Sequence, residues 1–183
     1  MGIRINRFAE KIAKFKFRYN DKTAPIRFSD LSGDYKGCLI CMPGTMEHAR
    51  AASEILSELA ETFPNRDIRI LLTSNIDPQT HEYIKKFAVI RPDAGDLDKF
   101  SLPKKEFINR LSRGGLAVAV DMDPNPNFFN AVVSLQSGAP VRTAFDKGEG
   151  LPYYNFIMGV PAKDVAPRVS YRAMADILKN FRR

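Results

Sequence analysis

Apolar positions repeat at a helical spacing near the start of the chain. They lie three or four residues apart, as one face of an α-helix requires, at Ile5, Phe8, Ile12, Phe15 and Tyr19. Basic residues repeat at the same spacing beside this apolar stripe, at Arg4, Arg7, Lys11, Lys14 and Arg18. The pattern predicts an amphipathic helix over residues 3–19.

From residue 37 onward, short apolar runs alternate with amphipathic segments. The runs predict five strands, over residues 37–42, 67–73, 87–91, 116–122 and 141–145. The segments between and after them predict five helices, over residues 46–62, 77–86, 104–112, 126–136 and 171–181. Strands that alternate with helices form a parallel sheet with both faces covered. We therefore predict an α/β fold: a single Rossmann-like, three-layer domain with a mostly parallel sheet over residues 37–183, preceded by a basic amphipathic extension over residues 1–36.

The positive charge is concentrated in that extension. The 183 residues carry a formal net charge of +7, and residues 1–27 hold eight basic and two acidic side chains. Two interpretations of the amphipathic helix stay open: its aromatic face packs on its own domain, or it docks on an anionic membrane surface. The remaining sequence offers no second basic patch or aromatic platform, so we expect no nucleic-acid partner.

Targeting and cofactor motifs are missing from the sequence. No apolar run approaches the roughly 18 residues of a membrane span, and the N-terminus lacks the apolar core of a signal peptide. The motifs GxGxxG, GxxxxGK[ST] and GxSxG do not occur. We therefore expect a cytoplasmic protein, peripheral on the inner membrane if the helix binds lipid, with no cofactor.

Both cysteines, Cys38 and Cys41, lie in the first predicted strand. Residues three apart on a strand point to opposite faces, and a redox CxxC pair favours a helix N-terminus. Zinc would need further Cys or His ligands, whereas His48 and His81 are the only histidines in the sequence. We favour buried structural cysteines over a redox pair or a metal site.

Ligands of such sheets gather at the carboxyl ends of the strands, where Glu47 follows the first strand. Thr45 can cap the helix that begins there. Glu47 in its first turn can stabilise the helix dipole, or it can act as a general base that faces the cleft. Residue chemistry alone favours the dipole interpretation.

The stretch DMDPNPNFFN (121–130) follows the fourth predicted strand. Asp121 and Asp123 have the spacing of the Asp-x-Asp motif of metal-dependent nucleotide-sugar transferases, but two residues are a weak signal and we predict no metal. Asn125 and Pro126 suit the N-cap and the first position of the next helix.

Several stretches, taken in order, resemble the N-terminal half of a known family. LICMPGTMEHARAASEILSELAETFPNRDIRILLTSN (39–75), VDMDPNPNFFNAVVSLQSGAPVRTAFDKGEG (120–150) and LPYYNF (151–156) are similar to the ADP-heptose:lipopolysaccharide heptosyltransferases, glycosyltransferase family nine, of GT-B fold. The resemblance covers residues 37–181 and implies a Rossmann-like acceptor-binding domain. In the family a second domain, which would begin near Arg183, mainly holds the nucleotide-sugar. Met46-Glu47 stands where the family shows Gly-Asp, whose Asp is the proposed base.

The resemblance also implies a set of site residues. Glu47 is the candidate catalytic base, and the acceptor side of the cleft is lined by Thr45, Asp121, Asp123, Asn125 and Asn127. We expect a non-catalytic or partner-dependent module of envelope polysaccharide synthesis that binds a glycan, a glycolipid or a second protein.

Two other functions stay open. The first is an active glycosyltransferase whose donor half comes from a separate donor-domain protein or from a homo-oligomer. The second is an unrelated enzyme or regulator with a flavodoxin-like arrangement. The aromatic segment Leu151–Phe156 is a candidate surface for a partner, or it folds back on the core.

Overall fold

The computed structural model describes residues 37–63, 67–148, 153–159 and 165–180, together with residues 10, 11, 14, 15 and 17. From residue 37 onward, the described residues form six strands and six helices. The strands are β1 (Gly37–Cys41), β2 (Asp67–Leu71), β3 (Ala88–Ile90), β4 (Leu116–Asp121), β5 (Val141–Phe145) and β6 (Phe156–Met158). The helices are α1 (Met46–Glu54), α2 (Leu56–Thr62), α3 (Pro78–Ile84), α4 (Lys105–Leu111), α5 (Phe128–Gln136) and α6 (Pro167–Lys179).

All six strands run parallel in one sheet, in the order β3-β2-β1-β4-β5-β6. Strands β1, β4 and β5 are buried along their whole length, because helices cover both faces of the sheet. The predicted α/β, Rossmann-like fold and the five predicted strands are therefore confirmed. The strand order reverses between β1 and β4, and ligands of such sheets bind at the carboxyl ends of the strands beside this switch point.

The helices form two outer layers. Helices α1, α2, α3 and α6 pack on one face of the sheet, around Ile40 and Val120. Helices α4 and α5 pack on the other face, around Leu39 and Ala119. Cys38 and Cys41 are both buried thiols on opposite faces of the sheet and form no disulfide, which agrees with their structural interpretation.

Two predicted helices differ in their bounds. The helix predicted over 46–62 is divided at Ile55, whose amide donates to the carbonyl of Ala52 at 3.3 Å, an i→i−3 bond that tightens this turn. The closing helix begins at Pro167 and not at Tyr171, with proline in its first turn.

The predicted helix start at Asn125 and Pro126 is wrong. Helix α5 begins two residues later, where the side chain of Asn127 caps it by accepting from the amide of Asn130 at 3.2 Å. The cause is Asp123, whose carboxylate accepts from the amide of Asn125 at 3.1 Å and holds this residue in a turn.

The sequence left two outcomes open for the segment Leu151–Phe156, a partner surface or a fold back onto the core, and its described residues favour the second. Tyr153 and Tyr154 are buried, at 4% and 1% exposure, and Phe156 begins the sixth strand, which the sequence did not predict. The segment folds back because the two tyrosine rings complete the apolar cover of α5.

Most of the predicted helix over 3–19 lies outside the described residues. Residues 10, 11, 14, 15 and 17 within it are helical where the structure describes them. Phe17, which is not part of the apolar stripe, is buried against α5, whereas Phe15 of the stripe is 71% exposed. The expectation that the stripe packs on the domain is therefore wrong at Phe15.

Candidate functional site

The carboxyl edge of the sheet carries two different clusters of charged side chains. One is buried at the ends of β4 and β5, and the other lines an open groove beside α1. The buried cluster involves the loops that follow β4 and β5, whereas the groove is lined mainly by residues of α1 and of the start of α6.

Asp121, the last residue of β4, is the centre of the buried cluster. Its Oδ2 accepts from Nζ of Lys147 at 2.6 Å and from the hydroxyl of Tyr154 at 2.5 Å. Its Oδ1 accepts from Nδ2 of Asn130 at 3.1 Å and from the amide of Asp123 at 3.0 Å. The Asp121 and Lys147 side chains are 0% and 1% exposed. A fully desolvated ion pair requires such additional hydrogen bonds to be tolerated.

Asp123 joins the loops that follow β1 and β4 across the switch point. Its Oδ2 accepts from the amide of Gly44 and from Nδ2 of Asn127, both at 3.0 Å. A Cβ at position 44 would lie 3.3 Å from that Oδ2, so glycine gives the carboxylate room. The carbonyl of Asp123 accepts from Lys147 at 3.0 Å. We name this cluster the carboxylate node, with members Asp121, Asp123, Asn127, Asn130, Lys147 and Tyr154.

Two neutral groups beside the node resist ionisation. Cys41 pairs with Asp121 in the β1–β4 register, and burial followed by the Asp121 charge raises the pKa of its thiol well above the ordinary value. Burial and the charges of Asp123 and Asp121 likewise raise the pKa of Tyr171, whose hydroxyl donates to the carbonyl of Met122 at 3.0 Å. The raised pKa favours the neutral thiol of Cys41 over the thiolate that nucleophilic chemistry requires.

The second cluster lines a groove of about 440 Å³ between α1 and the starts of α3 and α6. We name it the Glu47 groove. Its walls are formed by Met46, Glu47, Arg50, Ala51, Glu54, Asp77, Ala166, Pro167 and Arg168.

Some charged side chains of the groove have a partner within the protein, and others have none in the described chain. Arg168 and Glu54 form an ion pair at 2.9 Å, and Asp77 caps α3 by accepting from the amide of Thr80 at 2.6 Å. Within the described parts of the chain, the side chains of Glu47 and Arg50 make neither a hydrogen bond nor an ion pair. The groove therefore offers one carboxylate and one guanidinium to a ligand.

The residues that the sequence singled out lie in different parts of this edge. Asp121, Asp123 and Asn127 come together in the node, and exposed Asn125 lies in the turn beside it. Glu47 alone of the predicted site residues lines the groove. Thr45 is exposed at the start of α1, and its side chain makes no capping bond. The acceptor-binding role of these residues stays a prediction.

Sequence reasoning missed several members of both clusters. Lys147 and Tyr154 reach Asp121 from 26 and 33 residues further along the chain. Lys147 follows a strand end, and Arg50 lies one turn after Glu47, so strand-end position and i, i+3 spacing were the available signals.

In the parts of the chain that the structure describes, no three His, Cys, Asp or Glu side chains are placed together to hold a metal ion. Among the described helices, none combines the length and apolar character needed to cross a bilayer.

Comparison with protein-family models and with curated proteins finds no match for this chain.

Proposed function

We propose that this domain binds a glycan or glycolipid acceptor in the Glu47 groove and works as a non-catalytic or partner-dependent module of envelope polysaccharide synthesis. The observation that carries the proposal is an open groove, at the ligand-binding edge of the sheet, with a carboxylate and a guanidinium that have no partner in the described chain. Sugars present hydroxyl groups that donate to a carboxylate and accept from a guanidinium.

The apolar wall of the groove supports a sugar ligand as well. Met46 is 57% exposed, and Ala166 and Pro167 also line the groove. Small-molecule sites commonly combine apolar walls with a few polar groups that fix orientation. The resemblance of residues 37–181 to heptosyltransferase acceptor domains points to the same ligand class.

A binding role without independent catalysis is supported by the sequence and the node together. The chain lacks the glycine-rich motifs that hold nucleotide phosphates. The carboxylates of its Asp-x-Asp stretch accept hydrogen bonds from neighbouring residues and are 0% and 3% exposed. In this proposal the protein acts in the cytoplasm, at the inner face of the inner membrane.

Calorimetric titration with a lipid-free lipopolysaccharide core oligosaccharide tests the binding role. We expect Glu47→Gln and Arg50→Gln each to weaken binding by about tenfold or more, as expected for a lost charge-assisted hydrogen bond. Glu82→Gln and Arg172→Gln are matched controls, because both side chains are exposed and lie outside the groove. Equal affinities in groove and control variants would contradict the proposal.

A second candidate function is the active acceptor half of a glycosyltransferase, completed by a separate donor-domain protein or a second copy. The exposed and unpaired carboxylate of Glu47 favours it, because a general base must be reachable by the acceptor hydroxyl. The chain would be incubated with ADP-activated heptose and the acceptor, with and without the candidate partner. For this second function, Glu47→Gln should abolish turnover with nearly unchanged affinity, in contrast to the roughly tenfold weaker binding expected if Glu47 only binds the acceptor; retained turnover excludes Glu47 as the base.

A further inference from the structure

Two phenylalanines of the N-terminal helical segment have opposite environments. Phe17 is 4% exposed and packs with Val132, Leu135 and Tyr153 on the outer side of α5. Phe15 is 71% exposed. At about 100° per residue, the two side chains leave a helix on sides about 200° apart. The side of the helix that contacts the domain through Phe17 is thus not the side that carries Phe15.

The charged residues of the segment agree with this division. Lys14 pairs with Glu10 at 2.5 Å, and its Nζ lies 5.9 Å from the ring centroid of Phe128 on the domain. Lys11 is exposed and lies four residues before Phe15, so both occupy one side of the helix. The outward side therefore presents an aromatic ring next to a cation.

The sequence around Phe15 has an amphipathic pattern. Phe15 belongs to the apolar stripe, in which Phe8, Ile12 and Tyr19 share its spacing, and Arg4 and Arg18 follow the parallel basic spacing. A single exposed aromatic residue is common on protein surfaces. A repeating aromatic and aliphatic stripe bordered by basic residues is instead typical of helices that lie in the membrane interface.

We propose that the Phe15 side of this helical segment docks on an anionic lipid bilayer while Phe17 holds the segment on the domain. Anionic lipids attract the basic residues, and the interface accepts the Phe15 ring. A second copy of the chain is the poorer occupant, because it would bring a second basic face against the first. This surface is separate from the Glu47 groove, so the inference does not depend on acceptor binding.

A single-tryptophan variant tests the docking directly, because the chain contains no tryptophan. The full chain with Phe15→Trp would be mixed with vesicles of equal parts phosphatidylglycerol and phosphatidylcholine, or of phosphatidylcholine alone. We expect a blue shift of the emission with the anionic vesicles and none with the neutral ones. Val89→Trp, at an exposed position on β3, is the matched control and should not shift. An unshifted Phe15→Trp emission with anionic vesicles would overturn the proposal.

Vesicle co-sedimentation separates membrane contact from folding. Phe15→Ser and Lys11→Glu should each lower the partition coefficient by roughly tenfold, and added salt should lower it further. Both variants should unfold at the wild-type temperature. Partitioning of Phe15→Ser within about twofold of wild type would contradict a membrane role for that side chain. A blue shift of Phe15→Trp that rises with protein concentration, without vesicles, would instead identify a second copy as the occupant and overturn the inference.

Discussion

The carboxylate node and the Glu47 groove lie at the same edge of one sheet and contain similar charged residues. In the node, each carboxylate oxygen of Asp121 accepts two hydrogen bonds, and its cation Lys147 is buried with it. In the groove, Glu47 and Arg50 have no partner within the described chain. A carboxylate at a strand end is thus not in itself evidence for a ligand site.

Their surroundings explain the difference. The node lies where β4 and β5 end beneath α5 and the ring of Tyr154, so water is excluded and each polar group needs an internal partner. The groove lies where α1, α3 and α6 begin at one edge and leave an open space. Glu47 and Arg50 are exposed there and remain in contact with water, so they need no internal partner. The node holds the strand-end loops together, and the groove is open to a ligand.

Removal of the central charge of the node should have the largest effect. Asp121→Asn leaves the buried ammonium of Lys147 without its carboxylate, which should lower the free energy of unfolding by about 3–5 kcal/mol. Urea denaturation measures this loss. Asp176→Asn removes the carboxylate of an exposed ion pair with Lys179 and should cost about 1 kcal/mol or less. Similar losses in the two variants would remove the distinction between a structural node and an ordinary surface pair.

Loss of the bridge across the switch point should have the next largest effect. Asp123→Ala deprives the amides of Gly44 and Asn125 of their acceptor and should cost about 2 kcal/mol. Hydrogen exchange at the Gly44 amide should become faster. Thr45→Ala is the adjacent control, because the Thr45 side chain makes no capping bond and its loss should leave both measurements nearly unchanged. An unchanged exchange rate in Asp123→Ala would show that the bridge is not maintained in solution.

Alkaline pH should destabilise the node through Cys41. Its folded pKa is raised by burial and then by Asp121, so its contribution to stability is complete below the unfolded thiol pKa of about 8.5 and is lost as pH rises above it. The unfolded chain then releases a proton that the folded chain retains. This one group should lower the unfolding free energy by about 1.4 kcal/mol per pH unit. Urea denaturation of wild type and Cys41→Ala between neutral and alkaline pH should show the steeper decline in wild type. Parallel declines would contradict the raised pKa.

Substitution in the groove should have the smallest effect on stability. Glu47→Gln and Arg50→Gln should each change the unfolding free energy by less than about 0.5 kcal/mol, because neither side chain has a partner in the described chain. Thermal unfolding measures this difference, with Asp121→Asn as the contrasting variant. A clear destabilisation by Glu47→Gln would mean that its carboxylate has a structural partner, and the groove would then resemble the node.

The core strands could be predicted because their sequences are apolar on both sides. Leu116–Asp121 is buried throughout, and its apolar run is evident from the sequence alone. Phe156–Met158 was missed because only three residues pair with β5, and Ile157 among them is 41% exposed. All three of its residues are apolar, but so short a run falls below the four to eight residues that predict a strand.

The sequence predicted where the candidate site lies but not which of its side chains are buried or paired. Strand-end position identified Glu47, Asp121 and Asp123 as residues of the carboxyl edge, and the structure places them there. It did not indicate that two of them are buried, since their burial depends on Lys147 and Tyr154, which are distant in sequence. The prediction of Asn125 as the helix cap failed for a related reason. The amide of Asn125 donates to the carboxylate of Asp123, and this hydrogen bond, which the sequence does not show, favours a turn over a helix.

The α/β class, the positions of the core strands and the concentration of basic residues before residue 28 follow from the sequence alone, because periodicity and charge are local properties of the chain. The folded structure was needed to show which carboxylates are internally paired, which remain available in the groove, and that Phe17 rather than Phe15 is buried against the domain. These outcomes depend on which distant residues the sheet order brings together. Burial and pairing are properties of that assembly and not of any single segment.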